Sequence, residues 1–404
     1  MAGEHCICLF SSLYQPSIGG VETYTASLAR ALAASSCRVI VVTCALQKNE
    51  GIFNENGIEV IRLPSRPFLD GRFPIPRRSN EAQRLWRWLG NQQIDYIEVN
   101  TRFYPLSVQA LAFAEAKGIV PLLIEHGSAH LTLGNALLDI GVQAVEHAMT
   151  RRCLAYPAEY YAVSRNASAW LRHFGIQSHG ELPNSIDADE YVGKASTRDY
   201  RRYLNIPPSA FLVSYIGRLV SEKGVMAIAK ASATLKNSGI VFAIAGSGPL
   251  EDNLRSFESP SFRLLGKLSR EDVAALLQQS DLMCLPSRSE GFATSLLEAA
   301  ACATPSLVTA VGGTDELVPS SDFGIILPNI DARTISDTML QIVRHRDQLH
   351  HMGKNASQLV RAEYSWSKTA RKTLDACKKA NYPVERNRDI EQSPHRGTKA
   401  ERTR

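Results

Sequence analysis

Residues 287–305 read Ser-Arg-Ser-Glu-Gly-Phe-Ala-Thr-Ser-Leu-Leu-Glu-Ala-Ala-Ala-Cys-Ala-Thr-Pro. A short apolar strand, Leu282–Leu285, precedes this run. Gly291 marks a strand-to-helix turn, and a helix is expected over Thr294–Ala301. Glu290 stands at the turn and Glu298 just inside the helix, eight residues on, a little over two helical turns. With Glu290 just before the helix, both carboxylates can point toward one cleft at its N-terminal end. That end also presents unpaired backbone N–H groups and the positive end of the helix dipole. Carboxylates beside free amides suit the hydroxyls of a sugar.

The strand–turn–helix unit repeats in both directions. Upstream in the same block, strands are expected at Phe211–Ile216, Val241–Ala245 and Phe262–Leu265, and downstream at Ser306–Thr309. Helices are expected over Gly224–Leu235, Pro249–Ser256, Arg270–Gln279 and Ala332–His345. An earlier block has the same rhythm. Its strands are His5–Phe10, Arg38–Thr43, Ile58–Leu63, Tyr96–Asn100 and Val120–Glu125; its helices are Val21–Ala34, Asn80–Gly90, Pro105–Lys117 and Leu133–Arg152. Alternation of this kind predicts α/β architecture, with two Rossmann-like parallel-sheet domains facing a cleft. The expected domains are 1–185 and 186–362, with a polar linker around Leu182–Arg202. A helix at Trp366–Lys379, in a segment taken as 363–380, is expected to pack back on the globule. Residues 381–404 are charged and poor in large apolar side chains, and are expected to be disordered.

Bulk properties narrow the classes. The chain has 404 residues, is 44% hydrophobic and 21% charged, and carries a net charge of +5. That balance favours anionic ligands without pointing to nucleic acid. Eight cysteines lack Cys-x-x-Cys spacing, consistent with reduced, buried thiols in a cytoplasmic protein rather than a metal site. No apolar stretch approaches a membrane span. Over residues 66–88, Arg66, Arg72, Arg77, Arg78, Arg84 and Arg87 outnumber Asp70 and Glu81, with Phe68, Phe73, Trp86 and Trp88 between them. This segment is either a contact with an anionic membrane or a solvated loop and a helix whose tryptophans face the core.

Further motifs lie at strand ends. Gly217-Arg218-Leu-Val-Ser-Glu222-Lys223-Gly224 suits a diphosphate clamp, with Arg bidentate and Lys as a point charge; the alternative is two solvated cations. In Ser17-Ile-Gly19-Gly20-Val-Glu22, paired glycines would let backbone approach a phosphate at a helix N-terminus, or form an ordinary turn. Gly246-Ser-Gly248-Pro-Leu-Glu251 lacks the third glycine of a dinucleotide fingerprint and fits a loop lining the cleft. Glu125-His126-Gly127 ends a strand, where His126 could meet a sugar hydroxyl or orient an acceptor. Gly312-Gly313-Thr-Asp-Glu316 is either another helix opening near a diphosphate or a plain loop.

Together these residues resemble the retaining nucleotide-sugar glycosyltransferases of family four, which have the two-domain GT-B fold. The likeness spans roughly residues 5–380 and is strongest at Gly217-Arg-Leu, Lys223-Gly, Ala245-Gly-Ser-Gly-Pro, Leu265-Gly, Ser280-Asp, Leu285-Pro-Ser, Glu290-Gly-Phe, Leu297-Glu-Ala and Val311-Gly-Gly. Pro183-Asn184-Ser-Ile-Asp187 matches the family linker, with Ser185 in place of glycine. The resemblance implies that Arg218 and Lys223 hold the donor diphosphate and that Glu298 binds the ribose. Glu290 and the amides of Gly291, Phe292 and Ala293 would grip the sugar. Gly20 would approach the phosphates, and His126 would lie near the anomeric carbon. It implies front-face attack with retained configuration, no cofactor and no metal. It also implies a C-terminal helix that crosses back onto the first domain. Ala293, Ala303 and Asp315 depart from the family pattern.

The expected protein is a bacterial-type hexosyltransferase of the cytoplasm or the inner face of the plasma membrane. It would act on a UDP- or GDP-linked sugar and a glycan or polyprenyl-linked acceptor, in cell-surface polysaccharide or glycolipid synthesis. Two rivals share the fold. A nucleotide-sugar epimerase would isomerise donor without acceptor, and a non-enzymatic scaffold would bind no nucleoside diphosphate.

Overall fold

The computed structural model describes residues 5–17, 19–47, 49–69, 71–130 and 136–382. The segment expected to be a disordered tail lies almost wholly outside them. The strands run in chain order as β1 (Cys6–Ser11), β2 (Arg38–Cys44), β3 (Gly51–Glu55), β4 (Ile58–Leu63), β5 (Ser65–Arg66), β6 (Ile75–Pro76), β7 (Tyr96–Asn100), β8 (Leu122–Glu125) and β9 (Glu159–Ala162). All but the β5–β6 pair form a seven-stranded sheet, ordered β3-β4-β2-β1-β7-β8-β9. The second block supplies β10 (Phe211–Ile216), β11 (Ile240–Ala245), β12 (Phe262–Gly266), β13 (Leu282–Leu285), β14 (Ser306–Thr309) and β15 (Ile325–Leu327). These form a six-stranded sheet, ordered β12-β11-β10-β13-β14-β15.

Both sheets are parallel apart from the antiparallel edge strand β3. The central strands are buried along their whole length, as in β10 and β11, because helices cover both faces. The expected strands are all present with ends shifted by at most two residues. The strands β3, β9 and β15 and the short β5–β6 pair were not foreseen. Each lies at a sheet edge or is very short, where an unbroken apolar run is not required.

The helix ends follow local chemistry. Pro105 sits in the first turn of helix Pro105–Lys117, and Gly118 closes it with φ 68°. Ser79, Ser164 and Ser269 cap their helices by accepting a backbone N–H at 3.1 Å. Ala303 has φ 57°, the left-handed region at the end of helix Thr294–Ala301, which explains why a glycine is favoured there. The stretch expected to hold the linker, Leu182–Arg202, carries helix Ala188–Gly193 and most of helix Tyr200–Tyr203. Tyr191 and Tyr200 are buried, so this segment belongs to the second block's core.

The final helix, Trp366–Asn381, does cross back. Trp366 meets Tyr24 of the first helix edge-on at 5.5 Å, and Asn381 exchanges two hydrogen bonds with the Val120 backbone at 2.9 and 3.0 Å. Ser185 bonds the buried Thr369 hydroxyl at 2.7 Å, so its side chain is used where the family has glycine. In the basic segment, Trp86 and Trp88 pack on the core, Trp86 against Phe10 and Phe113. Among the described residues no helix is long and apolar enough to cross a membrane.

Candidate active site

The motif loops converge where the carboxyl ends of the two sheets' strands meet. After β10, the chain turns through Arg218 to a short helical turn ending at Lys223. Gly224 follows with φ 68°, and a Cβ there would lie 2.0 Å from the Pro286 carbonyl. The loops after β10 and β13 are therefore pressed together, and Lys223 is delivered to Glu290. Its Nζ lies 2.5 Å from Glu290 Oε1, which also accepts from Ser287 Oγ at 2.7 Å. Both partners are at least four-fifths buried, so the pair is better shielded from solvent than a surface ion pair.

Gly291 makes the second close approach. A Cβ there would lie 1.8 Å from the His126 carbonyl oxygen of the first block. Around this contact, side chains of the first block hold carbonyls of the second. Ser128 donates to Glu290 O, Ser164 to Gly291 O at 2.9 Å, Asn166 to Gly312 O, and Asn184 to Phe292 O at 3.3 Å. With the carbonyls held, the N–H groups of Gly291, Phe292 and Ala293 have no acceptor among the described residues. They open helix Thr294–Ala301, whose dipole adds positive potential. The Phe292 ring is buried against Tyr364, and the Ala293 methyl is buried at the helix N-cap.

Glu298 is not bonded to this group. Its charged neighbour is Arg270, and burial lifts its carboxyl to about 7. Arg218 is exposed beside the cleft, with its backbone carbonyl fixed by the Tyr215 hydroxyl at 2.7 Å. Gly20 begins the first helix, with open space where a Cβ would point. The carboxylate of Glu22 folds back over Gly19, onto its own backbone N–H. Burial raises the Glu22 carboxyl, opposed by that N–H and by Arg218 across the cleft. An acid thus already occupies the helix end expected to meet phosphate. Asp315, in the short helix Thr314–Leu317 after β14, pairs with Arg165 at 3.2 Å and ties that helix to the first block.

His126 is held by a chain that sequence reading missed. Its Nε2 meets Asn100 Oδ1 at 2.7 Å, and Asn100 Nδ2 donates to Glu98 Oε1 at 3.2 Å. Tyr24 packs edge-on against the imidazole at 4.8 Å. Burial drives His126 down to about 3 and Glu98 up to about 8, so at neutral pH the imidazole is uncharged and the acid mostly protonated. With Nε2–H donating to Asn100, the lone pair lies on Nδ1. The signal was present: Glu98 and Asn100 are polar residues on one face of an otherwise apolar strand.

Two facing α/β sheets with a motif-lined cleft between them and a helix that crosses back define the GT-B class of enzymes. The chain belongs to the family-four glycosyltransferases: residues 18–190 match the family described as Glycosyltransferase Family 4 and residues 196–359 that described as Glycosyl transferases group 1. It is 25% identical over 390 residues to a component of the human phosphatidylinositol N-acetylglucosaminyltransferase, covering 91% of this chain and 75% of that one. It is 30% identical to the D-inositol 3-phosphate glycosyltransferase of Corynebacterium urealyticum over 194 residues, 45% of this chain and 46% of the other. Among solved structures, sucrose-phosphate synthase from Thermosynechococcus elongatus superimposes with a TM-score of 0.74 at 20% identity, over 93% of this chain and 99% of that one. Anabaena HepE in complex with UDP gives 0.68 at 14% identity, over 93% and 100%. The protein is thus a glycosyltransferase of the hexosyltransferase type.

Proposed function

We propose that the enzyme moves a hexose-type sugar from a nucleoside diphosphate, UDP first and GDP second, to a glycan or lipid-linked glycan, with retention at the anomeric carbon. The observation that carries this reading is the Lys223–Glu290 pair beside three unpartnered amides at the start of helix Thr294–Ala301. As the glycosidic bond breaks, the leaving diphosphate gains negative charge. Arg218, Lys223 and the helix N-terminus would stabilise it, so the donor chemistry needs no metal. Glu290 and the amides of Gly291, Phe292 and Ala293 would hold the sugar hydroxyls, and Glu298 the ribose. Neutral His126 would face the anomeric carbon, where it can accept or donate a hydrogen bond without adding charge. The diphosphate would take the proton of the attacking hydroxyl, and closure of the blocks would exclude water. Support for a UDP-linked donor comes from HepE, solved with UDP and with UDP-glucose. A role in surface polysaccharide or glycolipid synthesis is supported by a teichuronic acid relative in Bacillus subtilis and by the lipopolysaccharide enzyme WaaG.

Peripheral contact with an anionic membrane at the cytoplasmic face belongs to the same reading. It rests on exposed Phe68, Leu69 and Ile75 among Arg66, Arg72 and Arg78, rather than on the tryptophans. Thermal shift with UDP, GDP and their sugars tests the donor assignment, with Lys223→Ala as control. Stabilisation by one nucleotide, lost in the variant, names the base; no stabilisation by any of them overturns the proposal.

A further inference from the structure

We propose that His130, His147 and His173 form a binding site for one divalent transition-metal ion of the zinc type, separate from the donor clamp. Each offers a ring nitrogen within 4.8 Å of the other two. They come from three elements: the segment after β8, helix Ala136–Cys153 and the turn Arg172–Phe174.

His130 is oriented as a ligand would be. Its Nδ1 lies 2.7 Å from Glu146 Oε2, while the other oxygen of this buried carboxylate accepts from Arg102 Nη2 at 2.6 Å. A carboxylate on one ring nitrogen fixes the tautomer, leaves the lone pair on Nε2 and raises its basicity, the usual outer-shell device of histidine metal sites. The other rings are framed by aromatic side chains. Trp170 stacks on His173 at 4.8 Å and meets His130 edge-on at 4.8 Å, and Phe174 packs on His147 at 4.9 Å. Beneath the cluster, one guanidinium, Arg102, faces two carboxylates, Glu125 and Glu146.

Three imidazoles without thiolate or a hard oxygen donor suit Zn²⁺, Co²⁺ or Ni²⁺ rather than Mg²⁺ or Ca²⁺. Zinc–nitrogen bonds of about 2.0–2.1 Å place ligand nitrogens about 3.4 Å apart, so the widest pair must close by about 1.4 Å. His173 is exposed and can rotate inward. The bound ion would join three elements that no disulfide or single helix links. It would also anchor the segment that carries Ser128, the residue holding the Glu290 carbonyl.

The test uses full-length, tag-free protein stripped with chelator and titrated with Zn²⁺ by calorimetry, with melting temperature followed in parallel. About one Zn²⁺ per chain and a rise in melting temperature are expected. His173→Ala, at an exposed position, should keep the metal-free melting temperature yet weaken Zn²⁺ binding at least tenfold, and His147→Ala should do the same. Co²⁺ should give visible absorption bands that disappear in both variants. Absence of stoichiometric binding, or binding unchanged in His173→Ala, would reduce the cluster to aromatic packing and overturn the proposal.

Discussion

The two walls of the cleft present charge differently, although burial lifts an acid on each, Glu298 to about 7 and Glu98 to about 8. On the second block, Lys223 and Glu290 form an ion pair and Arg218 is exposed beside the cleft. On the first block, burial drives the two ionisable groups of the His126 chain toward neutrality: Glu98 is lifted to about 8 and His126 lowered to about 3. A wall of fixed charge suits a ligand that is itself charged and gains charge during reaction. A wall of neutral dipoles suits a reacting centre that must be oriented without being over-stabilised before bond breaking. Glu22 lies at the boundary. It belongs to the first block, is raised by burial, and still senses Arg218.

If this division holds, removing charge from the second wall has the largest effect. Lys223→Ala should lower kcat/KM by about 10³, the scale of losing one preorganised transition-state contact, and should also lower the melting temperature because the buried Glu290 loses its cation. Arg218→Ala and Glu290→Ala should behave similarly in turnover assays with a UDP-sugar. Near-normal turnover by Lys223→Ala would remove the clamp from the account. Next in size is Gly291→Ala, whose Cβ would meet the His126 carbonyl at 1.8 Å and force the two walls apart. Overpacking of this kind costs about 1–3 kcal/mol. The variant should therefore lose both melting temperature and kcat, unlike Arg218→Ala, whose side chain is exposed. A smaller change of opposite sign is expected at the boundary. Glu22→Gln removes a negative charge from the helix end and should tighten nucleoside diphosphate binding about fivefold, the size of one unit-charge repulsion in a solvated cleft. Weaker binding would mean that Glu22 chiefly positions Arg218.

The two walls also differed in how far they could be read from sequence. Donor-side residues stand in contiguous strand–turn–helix units, because a strand end, a glycine turn and a helix N-terminus must follow one another in the chain to make an anion-binding surface. That is why Glu290 and Lys223 were legible as strand-end positions from Glu290-Gly-Phe and Lys223-Gly, although their contact with each other was not. Glu298 was recoverable as a position but not as a partner, since its neighbour Arg270 comes from another helix. Ser128, Ser164 and Asn166 were not recoverable. Each donates to a carbonyl of the opposite block, so its role exists only once two separately encoded domains meet. The histidine cluster was hidden for another reason: positions 130, 147 and 173 all lie in the first block but share no helical or strand period.

The least disruptive change probes the neutral wall by pH. Glu98 is buried, and its carboxyl stands at about 8 in the folded protein against an ordinary 4.5. Between those values the folded state holds a proton that the unfolded chain has released. Stability should therefore fall as pH rises from about 4.5 to about 8 and level off above, since the slope follows the difference in bound protons. Glu98→Gln keeps the shape and the bond to Asn100 but cannot ionise, so its stability should lack that slope. Urea unfolding of both proteins at pH 5, 7 and 9 measures the difference. If wild type and variant run parallel, Glu98 is not the group that holds the proton, and the neutral character of the first wall must come from elsewhere. If the curves diverge as described, activity adds a further distinction. Loss of transfer above pH 8 in wild type but not in Glu98→Gln would show that His126, reached through Asn100, depends on an uncharged partner.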